Sequence, residues 1–400
     1  MNRVLTINSL QEAKQELEKI KVSSQGVEVM APKAIGLSIK LTNVKLGAAN
    51  ILKQEMLSIG GDAAVERGVV NGKIEISDMI LLGNLDKIKK LVKKLNYQTI
   101  FGLPEIKIDL INMINELENA NSKVLNCNGT KLELNETKIM GILNVTPDSF
   151  SDGNKYFDVD SAVKRALIMI SEGADIIDIG GESTKPGAVK ISAEIELERV
   201  IPIIKELRKN SNIPISIDTT KAVVAHEAFS AGASILNDIS ALQFDANMIK
   251  VLQNFLEIPV ILMHMQGAPE TMQKNPHYED VIEEILLFFK QRIDFCVKNG
   301  INKERLIIDP GIGFGKRQED NLVILQNLSE FKCLGIPILL GASRKSFIGK
   351  IYNSNAADRL SGSLASTAIA FQNEIEIVRV HDVKEHNDFL KVMREIRKIK

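Results

Sequence analysis

Cysteine is scarce in this chain of 400 residues: Cys127, Cys296 and Cys333 are all it contains. An odd number, widely spread and without C-x-x-C spacing, excludes a disulfide framework and a zinc site, so reduced thiols are expected. Charge of one sign is not in excess either. Fifty basic against 51 acidic residues leave a formal net charge of −1, which gives no electrostatic reason for a nucleic-acid or anionic-membrane partner. Long apolar runs are also missing. No stretch approaches the roughly 18 apolar residues of a membrane span, and the opening MNRVLTINSLQEAKQ has no signal-type apolar segment. These absences point to a cytoplasmic protein. What is present, 44% hydrophobic and 25% charged residues, suits a soluble chain of about two domains.

Residues 1–120 read as a small α/β or α+β accessory domain of unassigned role. Ser9 followed by Glu12 is a capping-box pair, and Leu10, Ala13, Leu17 and Ile20 recur at helical spacing. Val27–Val29 and Leu37–Leu41 alternate like half-buried strands, and Ala48–Ile59 returns to helical spacing. Met79–Gly83 reads as a buried strand, Asp86–Leu95 and Pro104–Leu117 as helices. Lys89, Lys90, Lys93 and Lys94 lie opposite the apolar stripe, as on a solvated face. The polar stretch 116–122 (ELENANS) is the expected linker. Beyond it, Asn128-Gly129 between short apolar runs predicts a type I′ hairpin, a ribbon that cannot stand alone and is expected to plug the end of the next domain.

From residue 138 short strand-type runs alternate with helical segments. The first, Met140–Leu143, breaks into the polar loop of MGILNVTPDSFSDG. Seven more follow at Asp175–Ile179, Pro214–Ile217, Ser234–Leu236, Val260–Met263, Leu306–Ile308, Pro337–Leu340 and Ile375–Val378. Eight strand–helix units over this length predict a (β/α)8 TIM barrel across residues 121–400, with an open doubly wound sheet as the alternative. Every strand ends in polar residues, and in a barrel those ends converge on one rim.

The rim residues define a ligand. Asp218, Asn237 and Asp309 offer acceptors and an amide to a flat heterocycle with an amino-amide edge. Arg344, Lys345, Arg379 and His381 supply positive charge for an anion such as diphosphate. Asn144 is a neutral oxygen ligand of the kind Mg²⁺ shares with phosphates. Gly311, Gly313 and Gly315 match neither G-x-G-x-x-G nor Walker A spacing, which excludes a dinucleotide site there.

From Ser122 onward the chain closely resembles the dihydropteroate synthases, on MGILNVTPDSFSDG, DIIDIGGESTKPGA, SIDTTKAVVA, ILNDISAL, MHMQGAPETMQ, DPGIGFGK, GASRKSFIGK, RLSGSLA and VRVHDV in order. The resemblance implies condensation of a dihydropterin methyl diphosphate with 4-aminobenzoate, in a homodimer using Mg²⁺. It implies pterin binding by Asp218, Asn237, Met263, Asp309 and Lys345, and diphosphate binding by Asn144, Thr184, Arg379 and His381. Lys185, Pro186, Phe314 and Ser346 match the aminobenzoate pocket, and Asn144 the metal ligand. Catalysis would fall to Asp218, Asp309, Lys345, Arg379 and His381. Lys185 departs from the family's usual Arg, keeping the charge and losing the planar fork. A pterin-dependent methyltransferase has no use for the diphosphate residues, and a non-catalytic paralogue would have lost them.

Overall fold

The computed structural model describes residues 2–119, 123–145, 159–183 and 190–398. By internal contacts the chain divides into one compact unit up to Ala120 and a second from Asn121.

The first unit runs α1 (Leu10–Lys19), α2 (Ser24–Ala34), β1 (Gly36–Lys45), α3 (Leu46–Ser58), β2 (Asp62–Val65), α4 (Arg67–Val70), β3 (Ile76–Asn84), α5 (Leu85–Leu95) and α6 (Leu103–Asn119). Its three strands form an antiparallel sheet ordered β1-β3-β2. The Ser9 hydroxyl accepts the Glu12 N–H at the start of α1, as the sequence pattern predicts. The strand expected over Val27–Val29 is instead the middle of α2. Ser23 caps that helix through the Gly26 N–H, and the buried residues are Val27 and Ala31, four apart, so the helical period overrides the short alternation. The lysines of α5 are partly paired, Lys89 with Glu118, Lys90 with Asp86 and Lys94 with Glu55.

The second unit opens with the hairpin β4 (Val124–Cys127) and β5 (Thr130–Glu133). Asn128 and Gly129 have φ of 51° and 88°, the left-handed pair that a type I′ turn requires. There follow β6 (Lys138–Asn144), α7 (Val159–Glu172), β7 (Ile176–Gly180), α8 (Ala193–Asn210), β8 (Ile215–Asp218), α9 (Ala222–Ala231), β9 (Ile235–Asp238), α10 (Met248–Asn254) and β10 (Val260–Met263). The chain continues through α11 (Val281–Lys298), β11 (Leu306–Asp309), α12 (Gln318–Gln326), β12 (Leu339–Leu340), α13 (Ser346–Tyr352), α14 (Leu360–Gln372), β13 (Ile377–Val380) and α15 (Val383–Lys398).

Among the described residues β6 to β13 form one parallel sheet of eight strands, ordered β11-β10-β9-β8-β7-β6-β13-β12. A parallel bridge between Ile308 and Ile338 joins its two ends, which makes the sheet a TIM barrel. Strands buried on both faces explain the short, almost wholly apolar runs of the sequence. At the N-terminal end Leu125, Cys127, Leu132 and Leu134 of the hairpin share one buried cluster with Met140, Ile176, Ile235, Ile261, Ile307, Leu339 and Ile377. The hairpin therefore stoppers the barrel floor, and the opposite mouth carries the polar residues.

Candidate active site

The carboxyl ends of the strands place their polar side chains by register. Gly180 of β7 pairs with Asn144 on one side and Asp218 on the other, and Asp218 pairs with Asn237. Lacking a side chain, Gly180 leaves Asn144 and Asp218 facing each other across its Cα. One step deeper, Asp178 is fully buried in an otherwise apolar strand.

An ion cluster joins these groups. The Arg379 guanidinium on β13 spans two carboxylates, donating from Nε to Asp178 Oδ2 at 2.7 Å and from Nη2 to Asp218 Oδ2 at 2.9 Å. Asn237 Nδ2 donates to the same Asp178 oxygen at 3.2 Å. Burial, and after it the Asp178 charge, raise the Asp218 carboxyl above its ordinary range, with Arg379 opposing. Asp309 at the end of β11 is likewise raised by burial, although its Oδ1 accepts the Gly311 N–H at 2.7 Å and Lys345 lies near. Burial, then the Arg379 charge, pushes the Lys345 ammonium down to about 8, and its Nζ stands 4.1 Å from the centre of the Phe314 ring. Phe314 and Met263 share an apolar cluster with Ile239 and Met272.

The segment after β12 is folded around Arg344, whose φ of 56° lies in the left-handed region that non-glycine residues rarely occupy. Its N–H goes to Ser363 Oγ and its carbonyl accepts from Arg359, each at 3.0 Å, while its guanidinium clasps Asp382. That over-determined kink aims the neighbours of Arg344 differently. Ser343 Oγ accepts the His381 N–H at 3.3 Å and stands 3.1 Å from His381 Nδ1. The hydroxyl can donate to Nδ1 or accept from it, so Ser343 holds the ring in place in either tautomer.

The cationic cluster read from the sequence needs correction at two members. Arg344 is committed to Asp382, and burial followed by the Arg379 charge drives His381 down to about 3, so it is a neutral imidazole. Arg379 and Lys345 keep their charge at the rim. Asp238, at an equivalent strand end, accepts from Ser240 N, Ser240 Oγ and Leu242 N and so folds its own loop. Asn144 is exposed at its strand end, and Ser346 is exposed at the first position of α13, outside the hydrogen-bonded cluster. Thr184, Lys185 and Pro186 lie outside the described residues.

Sequence reasoning missed three groups. Asp178 was detectable as a lone carboxylate within IIDIG. Lys316, fully enclosed, donates to His264 Nδ1 at 3.0 Å and to the Phe314 carbonyl at 3.0 Å, bracing the 311–315 turn, and burial lowers its ammonium to about 7. Lys221 joins Glu182 and the buried Glu196 at 2.8 and 2.5 Å. No local pattern announces the last two, because their partners come from other strands and helices.

A family model described as pterin binding enzyme matches residues 140–381, the span from the first barrel strand to the last rim residue. The dihydropteroate synthase of Escherichia coli (strain K12) is 47% identical over 265 residues, covering 66% of this chain and 93% of that one. The chain belongs to the dihydropteroate synthase family. It is therefore an enzyme of folate biosynthesis, a transferase. The Yersinia pestis dihydropteroate synthase, solved in complex with a sulfonamide drug, superposes with a TM-score of 0.66 at 43% identity, over 69% of this chain and 99% of that one. A probable bifunctional folylpolyglutamate synthase/dihydropteroate synthase of Haloferax volcanii is 36% identical over 390 residues, 95% of this chain and 46% of its own length. The likeness to that relative thus extends into the first unit, where the motifs had none.

Proposed function

We propose that the barrel mouth binds a dihydropterin methyl diphosphate and 4-aminobenzoate and joins them with loss of diphosphate. The observation that carries this reading is the convergence of Asp178, Asp218, Asn237 and Asp309 with Arg379 and Lys345 on one rim. Buried acceptors beside an amide suit the N–H-rich edge of a pterin, and Met263 gives its ring an apolar surface. Raised carboxyls that still face cations give hydrogen-bonding groups without a surplus of negative charge beside the anion.

Diphosphate would meet Arg379, the His381 ring, Asn144 and Thr184. The neutral imidazole brings no full charge there. Among the described residues no three of His, Cys, Asp and Glu form a metal cage; a metal held through the Asn144 oxygen and the substrate's own phosphates fits the donor present there. Mg²⁺ so held would neutralise charge on the leaving diphosphate. The residues of the chain orient the methylene group, stabilise the pterin as positive charge develops on it, through Asp309 and Asp218, and exclude water. The arylamine, held between Phe314, Ser346, Lys185 and Pro186, attacks the methylene carbon and releases its proton.

The same reading makes the working enzyme a cytoplasmic homodimer in which residues 1–120 form a separate domain contributing no catalytic group. Binding order tests it. Calorimetry is expected to show sulfonamide or aminobenzoate binding well only after diphosphate or the pterin diphosphate; equal affinity for the empty protein contradicts it.

A further inference from the structure

One oxygen of Asp178 does two things at once. Its Oδ2 accepts from Arg379 Nε at 2.7 Å and from Asn237 Nδ2 at 3.2 Å, while Oδ1 is buried with no partner among the described residues. A carboxylate built only to neutralise an arginine favours the bidentate fork, two parallel N–H bonds to its two oxygens. Here the guanidinium is instead stretched between Asp178 and Asp218, and the shared Asp178 oxygen is left to fix an amide. Burial makes that arrangement costly, and buried ion pairs are weak contributors to stability. Its product is orientation. An oxygen already taking a guanidinium N–H can only accept, so Asn237 must turn its NH₂ inward, which leaves its carbonyl for the barrel mouth.

We infer that Asp178 is a positioning residue that sets substrate specificity by fixing the Asn237 amide and the Arg379 guanidinium together. The pocket then presents Asn237 as an acceptor, matched to a ring N–H, and a heterocycle offering a lone pair at that point is refused. A pocket that can present either end of the amide has no such preference. The inference rests on the assignment of Asn237 to the pterin and Arg379 to the diphosphate.

The test uses the full chain and calorimetric titration with 6-hydroxymethyl-7,8-dihydropterin and, separately, inorganic diphosphate. Asp178→Asn can place its own carbonyl where Oδ2 lies and is expected to bind the dihydropterin within about threefold of wild type. Asp178→Ser, too short to reach, is expected to weaken both ligands by about tenfold or more, the worth of a hydrogen bond to a charged group. In an Asn237→Ser background the same Asp178→Ser change should cost the dihydropterin nothing further, because its route is gone. Wild-type affinity in a folded Asp178→Ser variant overturns the inference. So does an additive loss in the double variant, or an Asp178→Asn variant that is folded by thermal melting yet fails to bind. Failure of the wild type itself to bind either ligand overturns the underlying site assignment as well.

Discussion

Asp309 and Asp238 occupy equivalent strand ends, are both buried, and are both raised by that burial, yet only one is available to a ligand. Asp238 is saturated by the backbone and hydroxyl of its own loop, whereas Asp309 gives one oxygen to Gly311 and has Lys345 and Lys316 as its balancing charges. Asp309→Asn should cost pterin binding on the order of 1.5–3 kcal/mol, as for a charge-assisted hydrogen bond; unchanged affinity in a folded variant, measured by calorimetry, would count against the assignment. A second expectation concerns pH. His386 is fully buried, its Nδ1 is 2.9 Å from Thr367 Oγ1, and burial lowers it to about 4. The unfolded chain takes up this proton near the ordinary histidine value of about 6.5. Its pKa is lower in the fold, so stability is lost as pH falls from there towards 4, by up to about 1.4 kcal/mol per unit. Melting curves of wild type and His386→Asn should converge over that window as wild type loses its margin. Parallel curves would remove His386 as the source.

At the scale of elements, the barrel was legible because strands covered on both faces are short apolar runs, and because each stops at ligand-type residues. Elements whose identity rests on partners were not. The antiparallel strand β2 (DAAV) has a weak pattern of its own, and α2 shows two valines in alternation although its buried pair is Val27 and Ala31. Likewise the rim residues were readable one by one, but the protonation of His381 and the engagement of Arg344 depend on neighbours from β13 and from the segment after β12. The hairpin offers a test of its assigned place. Leu125 is buried against the barrel floor, so Leu125→Ala should destabilise the fold by about 2–5 kcal/mol, read as a shift in denaturant midpoint. At the mouth, Gly311 has a φ of 69° and a side chain there would collide with the His264 carbonyl oxygen. Gly311→Ala should therefore displace the turn that carries Phe314 and lower activity more than thermal stability, which paired assays and melts would reveal; normal activity would show the turn to be indifferent.

For the molecule as a whole, every residue assigned to the proposed site lies in the second unit, and the family model begins only at residue 140. The first unit has its own core around Leu52, Leu81, Ile88 and Leu91, and the match to the probable bifunctional relative of Haloferax volcanii, over 95% of this chain, reaches into it. Removing residues 1–119 is expected to leave kcat within a few-fold of the full chain, with any change seen in sedimentation or solubility. A soluble, correctly assembled truncation with a hundredfold lower kcat would instead locate a functional contact in the first unit. The central claim is tested most directly by supplying the purified full chain with dihydropterin methyl diphosphate, 4-aminobenzoate and Mg²⁺ and separating the products. Dihydropteroate and diphosphate should appear in equal amounts, and Arg379→Ala should abolish both. Diphosphate released without dihydropteroate, or wild-type turnover in the Arg379→Ala variant, would contradict it.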